Sequence, residues 1–138
     1  PTGLRYNNDG TRMFVYQSNT AIEGYTCTAY VPVSNVYQSG LRLATTGTGI
    51  TFGRAICFSS DGMILLTAGD GSNLIHYYDC GTAFDPNPAT RDAAKEYNFS
   101  SVIGAGVSIA DIKLLDSGRT MQVLDKTNAR IYTFTLST

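Results

Sequence analysis

The sequence predicts an all-β fold built from three successive copies of one antiparallel unit. Two observations carry this: a segment that returns with a spacing of about 50 residues, and apolar alternation inside each copy. Leu4-Arg5-Tyr6-Asn7-Asn8-Asp9-Gly10 returns as Ile56-Cys57-Phe58-Ser59-Ser60-Asp61-Gly62. It returns more loosely as Ile112-Lys113-Leu114-Leu115-Asp116-Ser117-Gly118. Three residues after each glycine stands a large apolar residue, Met13, Leu65 or Met121. Two residues further stands a β-branched one, Val15, Thr67 or Val123. The copies converge again over 22–27, 75–80 and 131–136.

Each copy opens on a strand, because Leu4 with Tyr6, Ile56 with Phe58 and Ile112 with Leu114 alternate with period two. Asp9-Gly10, Asp61-Gly62 and Ser117-Gly118 then supply the tight turn, since glycine accepts a positive φ. Second strands follow over 12–17, 64–68 and 120–125, and polar turns over 18–20, 69–73 and 126–128. Third strands run over 22–28, 75–81 and 131–136. There Tyr25 and Cys27, Tyr78 and Cys80, and Tyr132, Phe134 and Leu136 share a face. A fourth strand is expected over 40–46 and 97–103 but has no counterpart in the third copy. The stretch 92–96 is long enough for one helical turn and too short for a stable helix. Eleven strands in four-stranded antiparallel units at this period read as propeller blades, over about 1–52, 53–106 and 107–138 of a single repeat domain. The alignment makes Leu4, Tyr6, Met13, Val15, Ile56, Phe58, Leu65, Ile112, Leu114, Met121 and Val123 the expected core.

Two motifs sharpen this. Ile75-His76-Tyr77-Tyr78-Asp79-Cys80-Gly81-Thr82-Ala83-Phe84-Asp85 resembles a blade motif V-Y-x-Y-x-L-S-T-A-F-D, and residues 131–138 resemble its first eight positions. Residues 3–15 resemble its companion, G-I-x-F-S-x-D-G-T-x-M-Y-V. The pair is similar to the YVTN-like β-propeller repeats of bacterial surface and secreted proteins and of phage structural proteins. The resemblance covers about two-thirds of the chain and implies a binding or structural role. Family propellers carry more blades, and rings close with about four to eight. Three blades leave two flanks with unpaired edges and apolar faces, a liability that proteins cover. The expected partners are a second copy, a different chain, or further blades of a longer chain. Two copies would supply six blades, whereas a non-closing contact would give a filament.

Composition narrows the function. Apolar residues make up 43% of the 138, enough for a packed core, and no apolar run approaches the ~18 residues of a membrane span. Charged residues make up only 15%, the net charge is -1 and the arginines are scattered, which argues against nucleic-acid binding. No signal peptide is visible. The start at Pro1 leaves open a removed initiator or leader, or an excised piece. Of the three cysteines, Cys27 and Cys80 share an apolar slot with Leu136 and are expected as free, buried thiols. Cys57 aligns with Arg5 and Lys113, on the other side of its strand and partly exposed.

Little in the chain suggests catalysis, and no cofactor, metal or catalytic residue is expected. His76 is the only histidine, aligned with Glu23 and Tyr132, and the sequence offers it no fixed carboxylate partner. Residues 46–53 are glycine-rich but precede no helix, so they read as an inter-blade linker rather than a phosphate cradle. Asp70-Gly71-Ser72-Asn73 has oxygen ligands at short spacing yet lacks the later Glu of a calcium loop. Asn98-Phe99-Ser100 is a glycosylation sequon that matters only in a glycosylating host. The tyrosines suit core packing, with a few suited to stacking on sugar rings. The expected function is a non-enzymatic, self-assembling subunit of an extracellular or virion surface. A glycan-binding adhesin, with sites between blades, is the alternative. A fragment of a larger propeller enzyme is a third reading.

Overall fold

The structure is a computed structural model that describes residues 1–17, 20–28, 30–32, 38–104 and 106–136. Three antiparallel sheets follow one another along the chain. The first holds β1 (Gly3–Tyr6), β2 (Arg12–Gln17) and β3 (Ala21–Thr28), with β4 (Val31–Pro32) and β5 (Gln38–Ala44) both on β3. The second holds β6 (Phe52–Phe58), β7 (Ile64–Asp70) and β8 (Leu74–Asp79), with β9 (Thr90–Arg91) and β10 (Tyr97–Asn98) both on β8. The third holds β11 (Ile109–Leu115), β12 (Thr120–Asp125) and β13 (Arg130–Thr135). A short helix, α1 (Ser100–Ile103), follows β10.

The register repeats with the sequence. Leu4 faces Val15, Ile56 faces Thr67 and Ile112 faces Val123; Tyr6 faces Met13, Phe58 faces Leu65 and Leu114 faces Met121. The turn between the first two strands is built by short side chains. Asn7 Oδ1 accepts from Arg12 N–H at 2.9 Å, and Ser59 Oγ from Ile64 N–H at 2.9 Å. Such bonds fix the chain reversal locally, before any blade meets another. The first strands of the three sheets pack side by side, β1 against β6 and β6 against β11. Arg5 ties them together: Nε donates to the Ile56 carbonyl at 2.8 Å, and the guanidinium reaches Asp111 Oδ1 at 2.6 Å.

Two apolar clusters fill the wedges between blades. Phe14, Tyr16, Ile22 and Leu43 of the first blade meet Ile56, Phe58, Leu65 and Tyr78 of the second. Cys57, Leu66, Ala68 and Ile75 of the second blade meet Ile112, Met121 and Val123 of the third. Alternate residues of each strand thus serve opposite neighbours.

This arrangement corrects four sequence expectations. Leu4 is 54% exposed, and Tyr6 and Met13 are half-buried. They belong to the face that the preceding blade covers in the second and third copies, and no preceding blade lies among the described residues. Leu114 is also only half-buried, because it borders an open groove. Cys57 is buried, since the other side of its strand is the face covered by the third blade. The fourth strand expected over 97–103 is only two residues long, with α1 in place of the rest. Phe99, the residue just before this helix, is fully buried against Phe134, 5.1 Å between ring centroids, which draws the chain inward and away from an outer strand. Two-residue strands bring the total to thirteen among the described residues, not eleven.

Candidate functional site: the groove between the second and third blades

A groove of about 490 Å³ opens between the second and third blades. Its floor is apolar, from Leu66 on β7 and Leu114 and Met121 on β11 and β12. Its rim is mixed, with Tyr77, Tyr97, Asp61 and Lys95. Lys95 Nζ stands 4.8 Å from the centre of the Tyr77 ring and 3.1 Å from Asp92 Oδ2. The Ser59 hydroxyl and the Met63 N–H bond the Asp61 carboxylate and hold its pKa below the ordinary 3.8. Apolar floor, aromatic rim and a few charges suit an amphipathic ligand or a peptide side chain. No sequence motif marks the groove. Its signal is the substitution of smaller residues, Leu66 for Phe14 and Leu114 for Phe58, at repeat-equivalent positions.

His76 is fully buried, and the structure gives it the carboxylate that the sequence did not reveal. Its Nδ1 lies 2.8 Å from Glu96 Oε1, and its Nε2 lies 3.4 Å from Ser72 Oγ. Arg91 completes the chain with two bonds to Glu96, at 2.5 and 3.0 Å. Arg91 first, and His76 after it, hold the Glu96 carboxyl below its ordinary 4.5. Serine, histidine and carboxylate stand in the order of a nucleophilic triad. Here the Ser72 hydroxyl is itself buried and accepts from Leu74 N–H at 3.2 Å, so the group pins the turn after β7 to the segment before β10.

The remaining candidates are engaged or peripheral. Asp70 is gripped by Arg54 through bonds of 2.8 and 2.5 Å and receives the Ser108 hydroxyl, so its oxygens are already paired. Arg54 lowers its pKa from 3.8. Among the described residues, no group of three or more His, Cys, Asp or Glu gathers as a metal-ligand set. Asn98 is exposed, and its Oδ1 accepts from the Ser100 N–H at 2.9 Å and the Ser100 hydroxyl at 2.6 Å. The Gly47 and Gly49 linker leads into β6 with φ near 80°, as a loop between blades.

Among solved structures, the chain is similar to the β-propeller domain of Myceliophteria thermophila Cps50 (Swd1). The TM-score is 0.66 at 10% identity, over 97% of this chain and 37% of that one. The fold is that of a β-propeller. It is also similar to Kuenenia stuttgartiensis hydrazine synthase, TM-score 0.57 at 16% identity over 99% of this chain and 36% of that one. A third similar structure is U3-55K, TM-score 0.52 at 13% identity over 98% of this chain and 39% of that one. The chain therefore spans under two-fifths of the length of the propellers it matches. No family model matches it, and no curated protein matches it. These likenesses support the propeller fold and not the narrower YVTN-like family.

Proposed function

We propose that the chain is a non-catalytic structural module whose open flanks seat further propeller blades, and that copies of it associate head to tail. The observation that carries this is the pair of uncovered faces. On the first blade Leu4 is 54% exposed beside half-buried Tyr6 and Met13; on the third, Ile131 is 68% and Leu124 39% exposed. Repeat equivalence makes the first face the one that receives a preceding blade and the second the one that receives a following blade. Joining them is a heterologous contact that produces a ring or a filament. The resemblance to YVTN-like motifs favours an extracellular or virion-surface setting. A second reading, glycan binding, draws on Tyr77 and Tyr97 at the rim of the groove.

Sedimentation at micromolar concentration tests the proposal. Species larger than the 14.8 kDa chain are expected, and Leu4→Asp or Ile131→Asp dissolves them without unfolding the blades, since both side chains are exposed. A cooperative monomer with no larger species refutes self-association. A glycan array tests the second reading.

A further inference from the structure

Three buried hydroxyls meet between the first two blades. Tyr16 on β2 and Thr45, just after β5, belong to the first blade, and Thr67 on β7 belongs to the second. The three residues are 0%, 1% and 0% exposed. Burial raises the pKa of the Tyr16 phenol, while the Thr45 and Thr67 hydroxyls beside it act in the opposite direction. Yet none of the three oxygens has a hydrogen-bond partner among the described residues. A hydroxyl sealed from solvent without a partner carries the full cost of its lost hydration. Three such groups at one spot demand a common explanation.

The surroundings hold the groups that carry these oxygens. Thr45 N–H donates to the Thr20 carbonyl at 3.0 Å, and the Thr45 carbonyl accepts from Thr48 Oγ1 at 2.8 Å. Tyr16 lies over Gly53, so close that an added Cβ would run into the ring. Thr67 pairs with Ile56 on one side and His76 on the other. The next wedge lacks the hydroxyls. Repeat alignment puts Ala68 in the place of Tyr16 and Val123 in the place of Thr67. Both are fully buried in the apolar cluster between the second and third blades. Blade packing as such therefore does not require these hydroxyls.

We propose that Tyr16, Thr45 and Thr67 form a buried hydration site, in which one water molecule bridges the first blade to the second. A buried water makes about three hydrogen bonds to polar groups that are otherwise unsatisfied, which matches the three oxygens here. Each hydroxyl can donate or accept, so the water's two protons and its lone pairs are served without any charged group. The site lies inside one chain, between two described blades, and is independent of how the outer flanks are covered.

A crystal structure of the full chain that orders solvent is expected to show one solvent peak about 2.5–3.0 Å from all three oxygens, and none between Ala68 and Val123. Thermal melts supply the second measurement. Tyr16→Phe, Thr45→Val and Thr67→Val nearly keep the side-chain shape and each take one partner from the water. Each is expected to lower the melting temperature by about 2–5 °C. The triple variant is expected to lose less than the three single variants together, because no polar group is then left stranded. The proposal is overturned if there is no solvent peak and the oxygens bond one another, or if Thr67 bonds instead to the Tyr78 phenol that also neighbours it. Single variants that melt higher than the native chain overturn it as well, since removing a dry, unpaired hydroxyl relieves its burial cost. A solvent peak between Ala68 and Val123 would likewise refute it, because water would then enter a wedge that offers no hydroxyls at these places.

Discussion

Leu4 and Ile56 hold the same place in successive copies, yet truncating them is expected to have very different consequences. Ile56 is 1% exposed and shares a buried cluster with Phe14 and Leu65, whereas Leu4 is 54% exposed. Ile56→Ala removes buried methyl groups from a site hemmed in by two blades, so transfer and cavity terms together destabilise by ~2–5 kcal/mol. For Leu4 the full transfer term of ~1.5–3 kcal/mol applies only to the half that is buried, and the exposed site leaves no cavity. That leaves ~0.7–1.5 kcal/mol. Urea denaturation at sub-micromolar concentration, with m unchanged between variants, reads both values. On the proposed head-to-tail association, the Leu4→Ala deficit is expected to grow at higher concentration, because a copy covering the flank would link stability to concentration. Equal losses for the two variants at low concentration would refute the reasoning, because the first flank would then be buried within a single chain.

Glu96 has a depressed pKa in the folded chain, with Arg91 as the larger cause, so its contribution is present above the ordinary value of 4.5 and is lost as pH falls through the folded value. Urea midpoints should therefore decline below about pH 4.5, and Glu96→Gln should flatten that decline. The three cysteines are free and buried, with burial the main cause that pushes Cys80 up to about 12 and also raises Cys57. Thiol reagents at neutral pH should label none of the three quickly until denaturant is added, and a rapid native reaction or a Cys27–Cys80 crosslink in a non-reducing map would contradict this. Gly62→Ala should destabilise more than Gly118→Ala in thermal melts. Both force a side chain into the positive φ region, but only the first also displaces an aromatic ring. Equal losses would mean that Phe84 does not press on its turn.

The sequence alone determined three units, their strand register and their turns. Alternation and Asp-Gly chemistry act over a few residues, so Ile56 pairs with Thr67 as Leu4 does with Val15 wherever the blade is placed. Tertiary structure decided which faces are covered, because burial is a relation between blades. Equivalent residues end up exposed at Leu4 and buried at Ile56, and Cys57 is sealed by the third blade. It likewise decided the partner of His76, since Glu96 lies twenty residues away and meets it only after the chain has turned back past Arg91. The groove was hidden for the same reason. A smaller residue at one repeat position looks like ordinary variation until Leu66, Leu114 and Gly118 face a common space.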